Sequence, residues 1–149
     1  MIYGKKITLK MKDLKRHQLI TIGDMFSELH LILKYWCLKC DYKYSVIYIC
    51  NLFLSKEDTN FKFGDIEIIS ILRNNNYAKL KYHYIIKNDN YVLDTRQMVI
   101  RSYKNDSEYI DLSKFFGSDI YGCTRNKKMA IREDLESTIE KYMDKLEVK

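Results

Sequence analysis

Apolar positions recur at two different periods along this 149-residue chain, and the period changes near its middle. Between residues 24 and 36, Met25, Phe26, Leu29, Ile32 and Leu33 follow a 3.6-residue repeat. That spacing predicts an amphipathic helix, with Asp24 as its N-cap after Gly23. Residues 42–54 are apolar nearly all round. Their length favours a fully buried helix over a strand, since strands usually run ~4–8 residues. A polar break at 56–60 follows. Beyond it, 66–72 is β-branched and strand-like, and 7–12 predicts a short first strand. Residues 79–87 and 91–103 carry Tyr, Ile, Val and Leu on either side of Asn88-Asp89-Asn90. Short polar side chains of that kind bond their own backbone and accept positive φ, so the stretch predicts a β-hairpin. The segments 106–114 and 120–123 are short and carry no decisive period. Residues 129–146 return to helical spacing, with Ile131, Leu135, Ile139, Tyr142, Met143 and Leu146 on one stripe. N-terminal helices, a central buried helix on an antiparallel sheet and a C-terminal amphipathic helix make one α+β domain over 1–149.

Composition narrows the classes. A hydrophobic content of 46% argues against disorder. The longest apolar run, 46–50, is far too short for a membrane span, and no secretory leader is expected. Four cysteines in a chain of this size do not make a disulfide framework, so a reducing, cytoplasmic setting is expected. The net charge is +6, and 13 tyrosines accompany 26 basic residues. A basic aromatic surface suits nucleic acid, yet the lysines are scattered and the densest cluster is only Arg125-Asn-Lys-Lys128. A protein or peptide partner is therefore the stronger expectation. No feature of the sequence sets an oligomeric state.

The candidate chemistry begins with His83 and Asp94, eleven residues apart across the predicted hairpin. A four-residue loop over 87–90 would put them directly opposite one another. A two-residue loop would make them diagonal neighbours, and a three-residue loop would send them to opposite faces. Cys37 and Cys40 lie just ahead of the predicted buried helix. A cysteine at a helix N-terminus sees the positive end of the dipole, which favours the nucleophilic thiolate. The free N–H groups there can hold an oxyanion. A histidine can then move the proton, with an aspartate fixing its tautomer.

This order of cysteine on a helix, histidine on a strand and aspartate on the next strand resembles the papain-like and transglutaminase-like cysteine enzymes, among them arylamine N-acetyltransferases and protein deamidases. The resemblance is clearest from His83 through Asp94 to Thr95-Arg96-Gln97, which is similar to a Thr-Ala-Arg-Gln tail with one residue missing. It implies Cys40 as nucleophile, His83 as base and Asp94 as its orienting partner. Cys37, preceded by Trp36, is the fallback nucleophile. It also implies a small hydrolase or acyltransferase acting on a peptide bond or a glutamine side chain, with neither cofactor nor metal. The chain departs from the pattern in having no glycine between Gly23 and Gly64, and only Ser45 fits the small position after the nucleophile. Cys37-Leu-Lys-Cys40 is also a C-x-x-C, but a structural zinc site needs a second close pair, and none of Cys50, Cys123, His17 and His30 supplies one. The alternative is a non-catalytic basic module that meets an acidic protein through Lys127, Lys128 and the 10–16 stretch.

Overall fold

The computed structural model describes residues 3–39, 65–72, 81–88, 91–102, 109–111 and 125–147. In chain order these form β1 (Tyr3–Leu9), a 3-10 turn (Met11–Asp13) and α1 (Arg16–Lys39). Then come β2 (Ile66–Leu72), β3 (Tyr82–Lys87), β4 (Tyr91–Asp94), β5 (Val99–Ser102), β6 (Tyr109–Asp111) and α2 (Arg125–Glu147). The six strands lie in the sheet in sequence order, and every neighbouring pair is antiparallel. The chain is thus α+β, with α1 and α2 on one face of the sheet. The predicted buried helix at 42–54 lies outside the described residues, as does 120–123.

The period-2 alternation sorts the sheet into two faces. Ile66, Ile68, Tyr84, Ile86, Leu93 and Ile100 point to the helices. They join Ile22, Met25, Phe26, Leu29 and Leu33 of α1 and the predicted stripe of α2 in one core. Ile69, Ile71 and Val99 have the opposite parity and are buried as well, outside that core.

Boundaries differ from the sequence expectation at α1, at β1 and between β4 and β5, and α2 begins at Arg125 rather than at 129. α1 begins at Arg16, so Asp24 lies inside the helix rather than at its cap. The N-terminal contacts come instead from Lys15 and Gln18: Lys15 N–H donates to Gln18 Oε1 at 2.9 Å, and Gln18 N–H to Lys15 O at 3.0 Å. A glycine inside a helix costs ~1 kcal/mol, but the fully buried Ile22, Met25 and Phe26 around Gly23 outweigh it. β1 runs Tyr3–Leu9 rather than 7–12, because the chain turns at Met11–Asp13. The single strand expected over 91–103 is two strands, β4 and β5, folded back on each other through a turn at 95–98.

Across the helix layer, Glu28 of α1 accepts from Lys141 Nζ at 2.8 Å and from Tyr142 Oη at 2.8 Å. Burial opposes ionisation of Glu28, but the hydrogen bonds from Lys141 and Tyr142 outweigh it and hold the carboxyl below its usual range. Burial, and then the bond to Glu28, push the Tyr142 phenol up to about 12. A lowered acid stabilises the fold above its unfolded pKa, and that contribution disappears as pH falls through the folded value. The raised phenol contributes below its ordinary value, and its contribution is lost as pH rises through about 12. The pair is partly solvated, so we expect Glu28→Gln to cost only ~0.5–1 kcal/mol between pH 5 and 9. In thermal melts the gap between wild type and variant narrows as pH falls below the ordinary carboxyl range; a gap that stays constant down to pH 2 refutes the assignment.

Candidate functional site

The β3–β4 register decides which groups meet. Ile85 pairs with Asp94, Ile86 with Leu93 and Lys87 with Val92. Asn88 N–H donates to Tyr91 O at 3.0 Å, and Tyr91 N–H to Asn88 Oδ1 at 2.8 Å. The pairing runs out to Asn88 and Tyr91, and His83 is diagonal to Asp94. Carrying the register on would place Arg96 opposite His83, but the chain has already entered the turn at 95–98. β4 ends before it can flank the imidazole.

Asp94 does a different job. Its Oδ1 accepts from Arg96 N–H at 2.8 Å and from Gln97 N–H at 3.0 Å. This Asx turn starts the four-residue loop that reverses the chain from β4 into β5. Met98 closes the loop at φ 57, a left-handed value held in place by its fully buried side chain. The expected His83–Asp94 hydrogen bond does not form, and the Thr95-Arg96-Gln97 tail is the loop itself. We expect Asp94→Ala to cost about 2 kcal/mol, in the range for hydrogen bonds to a charged group. Asp94→Asn keeps the Oδ1 acceptor and should lose under ~0.5 kcal/mol. Equal losses in urea titrations of the two variants would contradict the turn role.

The acid at His83 comes from α2. His83 Nδ1 lies 2.7 Å from Glu136 Oε2. Glu136 is only 5% exposed, and the same oxygen accepts from Thr95 Oγ1 at 2.6 Å. Thr95 is pinned in turn: its hydroxyl oxygen accepts from Tyr84 N–H at 2.9 Å, and its own N–H donates to Tyr84 O at 3.0 Å. One helical turn earlier, Arg132 donates to the carbonyls of Thr95 and Arg96, each at 3.1 Å. Arg132 and Glu136 thus tie α2 to the 95–98 loop and to the start of β3. With Glu136 ionised, Nδ1 carries the proton and donates to it. Any exchange of a proton between His83 and a third group then runs through Nε2.

Glu136 was not visible as a site residue from the sequence. On α2 it borders the apolar stripe four residues after Arg132, a spacing that ordinarily marks a surface ion pair. The only available signal was its position at the edge of a buried stripe. Of the predicted nucleophiles, Cys40 lies outside the described residues. The backbone of Cys37 is in the last turn of α1, which ends at Lys39. That end of the dipole is negative, the reverse of the setting expected for a stabilised thiolate. Among the described residues no group of three or more His, Cys, Asp and Glu side chains is arranged to hold a metal, and no helix is long and apolar enough to cross a membrane. No protein-family model, curated protein or solved structure matches the chain.

Proposed function

We propose that the chain is a small thiol-dependent hydrolase or acyltransferase that acts on an amide, a peptide bond or a glutamine side chain. Its acid–base pair is His83 with Glu136, and its nucleophile is Cys40. Glu136 takes the orienting role that the family resemblance implies for Asp94. The observation that carries this reading is the 2.7 Å bond from His83 Nδ1 to a nearly buried carboxylate that Thr95 also holds. An imidazole fixed in that way has a defined tautomer and a partner for its positive charge.

In the proposed reaction the Cys40 thiol gives its proton to His83 Nε2, and the thiolate attacks the amide carbon. His83 returns the proton to the departing nitrogen, leaving a thioester and a free amine or ammonia. Water or an acceptor amine, deprotonated by His83, then attacks the thioester and releases Cys40.

The test is alkylation by iodoacetamide at pH 7, followed by mass spectrometry at each cysteine. A free thiol with pKa ~8.5 is only ~3% ionised at that pH. Full ionisation, offset by lower intrinsic nucleophilicity, leaves roughly a tenfold gain. Cys40 should therefore react about tenfold faster than a free thiol, and His83→Ala should abolish the difference. A Cys40 no faster than a free thiol, or a rate indifferent to His83, leaves the pair as a tie between α2 and the sheet and ends the enzymatic reading.

A further inference from the structure

Along the flank of α2 that borders Glu136 runs a groove of two neighbouring cavities, of about 330 and 180 Å³, which share Tyr82 and Glu140 in their walls. One wall is α2. Glu133, Ser137, Glu140 and Asp144 fall at i, i+4, i+7 and i+11, so they form one stripe along it. The floor is the sheet: Gly4, Ser70, Tyr82 and Tyr84. The Tyr82 ring lies over β1 because position 4 lacks a side chain. A Cβ at Gly4 would come within 2.5 Å of Tyr82 Cε1. Asp134 also lines the groove, as does Glu136 itself, the partner of His83.

The local charge runs against that of the molecule. The chain as a whole is +6. Among the described lining residues, five carboxylates (Glu133, Asp134, Glu136, Glu140 and Asp144) face two lysines, Lys5 and Lys81. The other long cations on this half of α2 are drawn elsewhere: Lys141 and Lys145 lie over the Tyr142 ring, and Lys141 also binds Glu28 of α1. The half-buried Tyr82 beneath a carboxylate wall suits an elongated cation, whose stem can lie on the aromatic side chain while the acids attract its charge. Residues 133 to 144 span ~16 Å of helix, the length of about five residues of extended chain.

We propose that this groove binds a basic peptide segment in extended conformation. Its arginine or lysine side chains meet the Glu133–Glu140–Asp144 stripe, and its backbone crosses Tyr82. On the reading of His83 and Glu136 given above, on which this step rests, that segment is the substrate, and it leads its amide toward the site at the Glu136 end. The acidic groove then selects substrates rich in arginine or lysine. This is the opposite charge preference from the one that the overall composition suggests.

The experiment is fluorescence anisotropy on the full chain, with a fluorescein-labelled hexa-arginine peptide as probe and hexa-glutamate as control. Hexa-arginine should bind and hexa-glutamate should not. The double variant Glu140→Lys/Asp144→Lys should weaken binding at least ~10-fold. All the replaced side chains are exposed, so melting temperature should stay unchanged; the milder Glu140→Gln/Asp144→Asn pair serves if it does not. Tyr82→Ala should weaken binding several-fold and Tyr82→Phe should not. No binding of hexa-arginine, equal binding by the charge-reversed protein, or spermine binding as tightly as the peptide would each overturn the proposal. The last result would make the groove a general cation trap. The alkylation experiment separates the two readings. Peptide binding without a fast cysteine keeps the groove and removes the enzyme, and a fast cysteine without peptide binding does the reverse.

Discussion

Glu136→Ala should lower the stability of the fold by ~3 kcal/mol, the low end of ~1.5–3 kcal/mol for each of the two hydrogen bonds lost at its buried carboxyl. The low end applies because the His83 side chain remains 18% exposed and can be partly rehydrated. The loss has two sources. Truncation removes the shared acceptor Glu136 Oε2 from both His83 Nδ1 and Thr95 Oγ1, while the Thr95 hydroxyl keeps Tyr84 O at 3.3 Å. It also loosens α2 from the 95–98 loop, leaving Arg132 as the remaining tie of that pair. For a chain of this length ~3 kcal/mol is a fall in melting temperature of roughly 6–12 °C. Glu136→Gln keeps an acceptor at the same place and should retain most of the stability while losing the fixed charge that orients His83. A double-mutant cycle with His83→Ala isolates the pairwise term, expected between ~1 and 3 kcal/mol in magnitude. A cycle that closes with additive losses would mean that His83 and Glu136 do not depend on each other, and the proposed acid–base pair would fall with it.

Phe26→Ala should cost ~3–5 kcal/mol in urea or thermal unfolding. Phe26 is fully buried where α1 meets the sheet, in the same core as Ile68, Ile86 and Leu135. Removing the ring forfeits its transfer free energy and leaves a void that two helices and a sheet cannot close by small shifts. Phe26→Leu retains most of the volume and should cost well under half as much. By contrast Leu31→Ala, on the same helix but 61% exposed, should change stability by less than ~0.5 kcal/mol. A small loss at Phe26 would mean that the helix layer does not pack on the sheet as described.

The reading of α1 shows why element type was legible and its boundary was not. The stripe Met25, Phe26, Leu29, Ile32 and Leu33 is a local signal, and it located the helix that forms the core. Gly23-Asp24 is also a local signal, and it was overruled. The helix continues back to Arg16 because Ile22, fully buried, extends the same face. The hairpin shows the same division. Asn88 does close the β3–β4 turn, as its chemistry predicts. But the continuous β-prone run over 91–103 hid a second turn, because Met98, the residue at positive φ, is not one of the usual turn residues. Asp94 looked like a triad member at the end of a strand, and its carboxylate is the device that ends the strand.

Periodicity and side-chain type, which act between residues close in sequence, determined on their own that this chain combines helices with an antiparallel sheet, and that His83 lies at one end of a hairpin. Which acid faces that histidine depends on the β3–β4 register and on the rotation of α2, and these bring position 136 beside position 83 across 53 residues of chain. Contact at that separation follows from how the layers pack. It left no trace in local spacing, so only the tertiary structure chose Glu136, and only it turned the acidic stripe of α2 into the wall of a groove.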